Sequence, residues 1–565
     1  MNKNLLFFYF FGFILVAQIN LAQSKNEIGI QEVQVTESFI PIVPVANKFS
    51  DNPILYDTIK VSKNISYSPE NYRFKTQLKL DPIKSAKIKG EPLSKLYQTY
   101  IYGGFGNTSL PYSKIFYSSN RNKSLSYGLS LGYVESYAKV KSVFDQQQKV
   151  SAASRKTDFS LFFKKDFDGG IFNANITRQG NIFQAYGYDP NFVLNKTFTE
   201  EYWGYSTLRL SFIDDNIDKN KLSYSAKLFA YDLNEQTENS ISLILSGKKV
   251  VGLNSFNIDF GLDYILNNLS TKYVFEDKLS KELILLLSPS FKRTILGGNL
   301  NVGLKFNVIN NRDSTNSNFA IFPNIKYNYI FSENNISAHI GARGGIDKNS
   351  YYTFSQRNPF ILNALKTDGG SLNLVNTKIK YDFFIGIESY LGAEINSFLE
   401  LSYARVHDMP FFELYDNSTF SNKFLVVYDN VNHFSISSEI DWSMNKNSKF
   451  SFKLDYHNYD LDSLIDYAYK PSIISGLAYL YNIGDKIIPE IKLVCFLDRS
   501  KIDDSGWSNS PVLKDIIDID FSLEYKYNTV FSAYFELNNL IGNYQIWENY
   551  PVLAPQVFFG LSYRL

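Results

Sequence analysis

From about residue 95 to the end of this 565-residue chain, apolar and polar side chains alternate in segments of roughly 10 to 13 residues. Ile517, Ile519, Phe521, Leu523, Tyr525 and Tyr527 are separated by Asp518, Asp520, Ser522, Glu524 and Lys526. Phe256, Ile258, Phe260, Leu262 and Tyr264 are separated by Asn257, Asp259, Gly261 and Asp263. The same pattern runs through Phe434–Trp442, Phe450–Tyr456 and Ile379–Ile387, the last facing away from Lys378, Lys380, Asp382 and Glu388. Successive side chains of a strand point to opposite faces, so each segment has one apolar and one wet face.

A soluble sandwich alternates too, but here three features favour a barrel that crosses a membrane. The segments are long enough to span a bilayer at a tilt of about 45°. Their polar faces carry full charges, as a watery lumen allows, and their apolar faces are rich in Phe and Tyr. In lipid every backbone N–H and C=O needs a partner, so a spanning sheet must close on itself. The N-terminus agrees. Lys3 precedes a short apolar run, Leu5–Val16, and small residues lead to Ala22-Gln23. That pattern reads as a secretory signal peptide over residues 1–22. No later apolar run is long enough for a transmembrane helix.

Connection lengths test the topology independently. With a first strand rising at about Leu96, every second connection should be short. Short candidates are Asn120–Lys123, Asp166–Gly170, Asp214–Asn220, Gly297-Gly298, Ser332–Asn335, Asn445–Ser448, Gly484–Lys486 and Tyr527–Thr529. Longer ones between them fall near 136–155, 180–200, 346–374, 406–430, 459–470, 499–514 and 540–553. The expected fold class is therefore all-β: a transmembrane antiparallel up-and-down β-barrel over 95–565, of about 22 strands (range 16 to 22). The chain ends Gly560-Leu561-Ser562-Tyr563-Arg564-Leu565. Gly560, Tyr563 and Leu565 resemble the terminal signal read by the outer-membrane assembly machinery, although Phe558 stands where a polar residue is usual.

Residues 23–94 have a different character. They hold six of the chain's 17 prolines, so an extended periplasmic segment is expected rather than a packed domain. Within it, Glu32-Val33-Gln34-Val35-Thr36 resembles the short box with which TonB-dependent receptors engage TonB by strand addition. Taken together, the signal peptide, the strand count, Val33–Thr36, the phrase Lys89–Tyr97 and the C-terminus resemble a TonB-dependent-receptor-type barrel of the Bacteroidota. That resemblance implies an outer-membrane location, a pore or transporter function, and TonB or a surface lipoprotein as partner. It departs from the family in one respect. A receptor of this type carries a globular plug before its barrel, and 24–94 does not read as one. Such a barrel must be closed by inward-folded loops, by its N-terminal segment or by a partner.

Chemistry is sparse. There is no HExxH, G-x-S-x-G or Walker A motif. Gly103-Gly104-Phe105-Gly106 ends a strand with no helix after it, so relief of crowding is the simpler reading. His339, His407, His433 and His457 show no metal-ligand spacing. Asp460, Asp462 and Asp466, like Asp503-Asp504, sit in loops, but Ile465 occupies the place of an EF-hand glycine. The single cysteine, Cys495, excludes an intramolecular disulfide. With 57 Lys+Arg against 56 Asp+Glu, the chain lacks the basic excess of a nucleic-acid binder. No cofactor, metal or catalytic residue is expected. The expected role is passage of a solute through a lumen lined by Lys378, Lys380, Asp518, Asp520, Glu524 and Lys526. The alternative is a non-transporting subunit of an outer-membrane assembly or secretion machine.

Overall fold

The computed structural model describes residues 96–565 except 192–198, 215–220, 234–237, 270–277, 311–316, 333–335, 363–373, 393, 416–421, 465–468, 500–512, 543 and 554. The signal peptide, the proline-containing segment and the Glu32–Thr36 box lie outside the described residues.

The alternating segments become the strands of one closed antiparallel sheet of 22 strands. Each pairs with its neighbour in the chain, and the first strand, Thr99–Gly106, closes the cylinder against the last, Gln556–Arg564. At the seam Gly104 faces Gly560. A Cβ on Gly104 would lie 2.5 Å from the Phe558 ring and 2.8 Å from Gly560 Cα, so the two walls meet only because this position has no side chain. The terminal residue is tied in as well: Leu565 O accepts from the Gln98 and Thr99 amides, and Leu565 N donates to Thr99 O.

Outside, the apolar face is bare. Phe256 and Ile258 are each more than half exposed, as are Phe383, Ile385 and Leu561. That area is stable only against acyl chains, so the barrel is a membrane protein. The 22-strand barrel with this belt is an outer-membrane fold.

The eight short turns read from sequence all join consecutive strands at one rim. Two more complete the set: Gly252-Leu253, between Glu238–Val251 and Asn254–Leu269, and 392–394, between Thr377–Leu391 and Ile395–Leu414. The opposite, outer rim carries the longer connections. Two of its connections are nevertheless short, Asn107-Thr108 and 234–237.

One hairpin outgrows the rest. Ile395–Leu414 has 20 residues and Phe424–Asn445 has 22. A tilted membrane strand needs about 9 to 11, so roughly half of this hairpin stands beyond the bilayer. Its register slips between Val406 and Met409, where Asp408 adopts φ 55°. A bulge of this kind bends a strand and increases its twist.

Candidate functional site

The outer mouth is where this structure does something a plain pore does not. In chain order Glu200–Ile213 is the sixth barrel strand and Phe424–Asn445 the sixteenth. With 22 strands about 4.8 Å apart and tilted by about 40°, the cylinder is roughly 40 Å across. Residues of these two strands, ten places apart around the wall, nevertheless share one buried cluster. It contains Trp203, Tyr205, Leu233, Tyr351, Phe354, Ile361, Leu362 and Val426. The described residues 351–362 and the outer part of the long hairpin bridge the gap.

The described residues of the connection 348–376, namely 348–362 and 374–376, are tied to several strands. The neck is pinned by Asn349, whose backbone N–H donates to Asn376 Oδ1 at 3.1 Å and whose side chain donates to Val375 O at 2.7 Å. Ser350 then caps a short helix, Tyr351–Arg357, through a reciprocal bond with Thr353. The first two helical amides are left without intrahelical partners. Both donate to the carboxylate of Glu238, on the eighth strand, at 3.0 Å. Trp203 Nε1 donates to Pro359 O at 2.9 Å, and Tyr205 Oη donates to Ser355 Oγ at 3.0 Å. Beyond the helix, Leu362 N donates to Phe424 O and Phe424 N to Phe360 O, which splices the loop onto the hairpin.

Other loops lock over this layer. The connection 539–555 folds back as a small hairpin whose Tyr550 ring stacks on Phe360 with centroids 3.6 Å apart. Tyr550 Oη donates to Asn422 O at 2.6 Å, and Trp547 packs edge-on to Phe412. Tyr186, from 185–199, donates to Pro551 O. Arg499 donates to the Gln545 and Ile546 carbonyls. The result is a cap in which described residues of five connections hold each other.

Electrostatics reinforce it. Lys423 and Glu201, both buried, form an ion pair from opposite sides of the mouth. Tyr469 donates to Glu548 at 2.6 Å. Burial pushes the Tyr186, Tyr469 and Tyr550 hydroxyls above the ordinary tyrosine value of 10. Such groups must stay neutral to remain where they are.

The residues singled out in the sequence fall into separate places. Asp518, Asp520 and Glu524 are on the lumen face, opposite the lipid-exposed Ile517 and Tyr525, but they are not open lining. Asp518 accepts from Tyr544 Oη at 2.5 Å and from Ile541 N at 3.1 Å, and Asp520 accepts from Asn539 N at 3.0 Å. Both carboxylates therefore anchor the 539–555 connection. Glu524 accepts from Tyr534 Oη at 3.1 Å. Lys526 alternates with them near the inner rim.

Lys378 and Lys380 lie at an irregularity in the sheet. A register shift between Ile379 and Tyr381 inserts an extra residue. Ile379 lines an interior cavity with Asp382, while Lys378 lies opposite His407 in the ladder and pairs with Asp408 at 3.7 Å. Nearby, Arg405 forms a forked pair with Asp462 at 3.0 and 2.6 Å and holds that carboxyl below its usual range. Asp460 accepts from Asn432. Asp460 and Asp462 are thus engaged by protein donors, and among the described residues no group of three metal-ligating side chains forms. Asp466, Asp503 and Asp504 lie outside the described residues. Gly560 sits in the seam beneath Tyr102, whereas Tyr563 and Leu565 face outward. His433 and His457 are brought together, Nε2 to Nδ1 at 3.1 Å, which no spacing in the sequence announces.

Below the cap the lumen wall is polar. A cavity of about 700 Å³ is lined by Asp214, Lys248, Asp259, Lys292, Lys326 and Glu388 with many Ser and Asn.

No family model and no curated protein matches the sequence. Solved structures do. The FrpB iron transporter from Neisseria meningitidis (F3-3 variant) superposes with a TM-score of 0.62 at 10% identity, over 84% of this chain and 82% of that one. A copper transporter, OprC, gives 0.57 at 9% identity, over 83% and 80%. The pyoverdine outer membrane receptor FpvA from Pseudomonas aeruginosa PAO1, bound to pyoverdine, gives 0.56 at 10% identity, over 84% and 79%. At these identities the shared property is the fold, the closed 22-strand barrel of TonB-dependent receptors.

Proposed function

We propose that this chain is an outer-membrane transporter of the TonB-dependent-receptor type, not an enzyme, and that its own loops keep it shut at rest. The observation that carries this reading is the cap over a polar lumen. A lumen walled with Lys, Asp, Asn and Ser is built to hold water and polar solutes. A wide, permanently open pore of that kind would leak, and the interlocked connections prevent it. An iron transporter, a copper transporter and a pyoverdine receptor share this fold, which supports transport as the role.

Energy coupling in this reading falls to Glu32, Val33, Val35 and Thr36, presented to TonB as an added strand. Val35→Pro removes one ladder donor and should abolish uptake while the barrel still inserts. Uptake that persists at the normal rate would remove TonB from the account.

A second reading has its own support. Asp518 and Asp520 spend their charge on fixing a loop rather than on lining a path. A barrel whose lumen charges hold its cap also suits a scaffold subunit of an assembly or secretion machine. Gentle native purification separates the two. A stoichiometric machine component means a subunit, whereas a barrel that emerges alone, with TonB or with a surface lipoprotein means a transporter.

A further inference from the structure

On the lipid-facing side of the wall, near the inner rim, lies an apolar cavity of about 610 Å³. It runs across the strands from Leu222–Leu233 to Gly298–Asn310. Its side of the sheet follows from register. Phe256 and Ile258 are lipid-exposed. Lys249 stands opposite Phe256 and Gly247 opposite Ile258. On the next strand, Phe291 stands opposite Phe256 and Pro289 opposite Ile258. Partners opposite each other share a face, so all of these point to the bilayer.

Two residues open the wall. Gly247 leaves a gap in the row it forms with Ile258 and Pro289, and a Cβ there would meet nothing nearer than Ile258 Cγ2 at 3.6 Å. Crowding within the sheet, which explains Gly104, does not explain this glycine. A glycine inside a strand also marks close approach of a ligand. Pro289 has no amide to donate. The ladder beside it skips from Leu287–Phe306 to Ser290–Gly303. The row towards the rim is filled by the Phe256 and Phe291 rings, with centroids 5.2 Å apart, and the row above by Phe306. The cavity is thus a slot between two layers of large side chains.

Two cations stand at its rim end. Lys249 lines the slot, and Arg293 is an exposed residue two places beyond Phe291 on the same face. With strands about 4.8 Å apart and about 3.3 Å per residue, their Cα atoms are roughly 12 Å apart, a gap two long side chains can close on one group. The outward positions around them, Val251, Asn254, Phe256, Phe291 and Val302, carry no charge. Each cation is two residues from the end of its strand at a short turn, the level at which hydrocarbon gives way to headgroups. An anion at headgroup level joined to an apolar chain fits this arrangement, and arginine is well suited to phosphate. We infer that the slot binds one phospholipid of the periplasmic leaflet, its phosphate between Lys249 and Arg293 and an acyl chain over Gly247 and Pro289. Binding of this kind needs the membrane setting of the barrel and does not depend on transport.

The experiment is native mass spectrometry of the full-length barrel, purified from outer membranes in mild detergent. A single retained phospholipid is expected. After delipidation the barrel is titrated with dioleoyl phosphatidylglycerol and with dioleoylglycerol, which has the same chains and no phosphate. The phospholipid should rebind to saturation at one per barrel, about tenfold more tightly than the diacylglycerol. Arg293→Gln should remove most of that difference and leave diacylglycerol binding unchanged. Gly247→Leu, which fills the slot, should weaken both. Heat-modifiable gel mobility checks that each variant is an intact barrel, and Arg293→Gln, at an exposed position, keeps the test open if Gly247→Leu does not fold. Absence of a saturable single-lipid adduct overturns the site, as does equal affinity for the two lipids. Unchanged phospholipid affinity in folded Arg293→Gln overturns it too. Lipopolysaccharide as the retained lipid would put the contact in the other leaflet and equally overturn it.

Discussion

Trp203→Ala should open the cap without dismantling the barrel. The Trp203 side chain is 1% exposed, sits in the cluster that joins the two sides of the mouth, and donates to Pro359 O. Truncating a buried tryptophan costs about 3 to 5 kcal/mol, part of it the lost hydrogen bond. The indole lies above the membrane belt, so most of that cost falls on the closed cap rather than on the sheet ladder. At about 1.4 kcal/mol per factor of ten, the open population should rise by roughly a hundred- to several-thousand-fold. Ile361, fully buried in the same cluster, is a suitable reporter. With Cys495 replaced by Ser, an Ile361→Cys variant in intact cells is exposed to a membrane-impermeant maleimide. Labelling in this regime follows the open population. It should be slow in the parent and faster by a large part of that factor after Trp203→Ala, with heat-modifiable mobility retained. Equal labelling rates in two folded barrels would refute the claim that this cluster shuts the mouth.

Three further outcomes follow from the same geometry. Removing one member of the buried Lys423–Glu201 pair leaves a charge without its partner across the mouth, at a cost of about 3 to 5 kcal/mol. Lys423→Met or Glu201→Gln should thus speed Ile361→Cys labelling far more than the double change Lys423→Met/Glu201→Leu. The cap should also loosen in alkali. The hydroxyls of Tyr186, Tyr469 and Tyr550 are raised by burial, so the folded cap keeps protons that an opened one releases above about pH 10. Their contribution is fully present below that pH and falls as pH climbs from it toward the raised values. Labelling normalised to an exposed cysteine should therefore accelerate above pH 10, and less so in Tyr550→Phe. Finally, Gly104→Val places a branched side chain against Phe558 and Gly560 at the seam. Overpacking of this kind costs about 1 to 3 kcal/mol, and the fraction of heat-modifiable barrel in outer-membrane preparations should fall.

Much of the sheet was legible because a lipid-spanning strand has few options. One face meets acyl chains and the other meets water, so period two survives in Ile517–Tyr525 and Phe256–Tyr264 and the strand count follows. Alternation reports only the side of the sheet, however, and it loses phase at a bulge. One such bulge enters between Ile379 and Tyr381, beyond which Lys378 shares a ladder rung with His407. The turns at Gly252-Leu253 and 392–394 were not read from the sequence.

The cap was the least legible part. Inward-folded loops were one of the closures left open by the sequence. But Trp203, Tyr205 and Val426 are apolar residues on strand segments, and by composition alone they resemble girdle aromatics facing lipid. What sets them apart is that they meet loop residues from far along the chain, and no local pattern encodes that meeting. Glu201, Glu238 and Lys423 carried no signal for the same reason. A charge at a strand end is ordinarily solvated, but these three are buried at the mouth, among residues distant in the chain.

The most direct test of the account is whether the two sides of the mouth touch in the cell. Cysteines at 201 and 423, in a chain with Cys495 replaced by Ser, would be treated in intact cells with a short bis-maleimide. A closed cap predicts efficient intramolecular cross-linking at rest, read as a protease-resistant link between the two halves of the chain. If the positions stand apart by anything near the roughly 40 Å width of the barrel, no cross-link forms, and the claim that these loops close the lumen is contradicted.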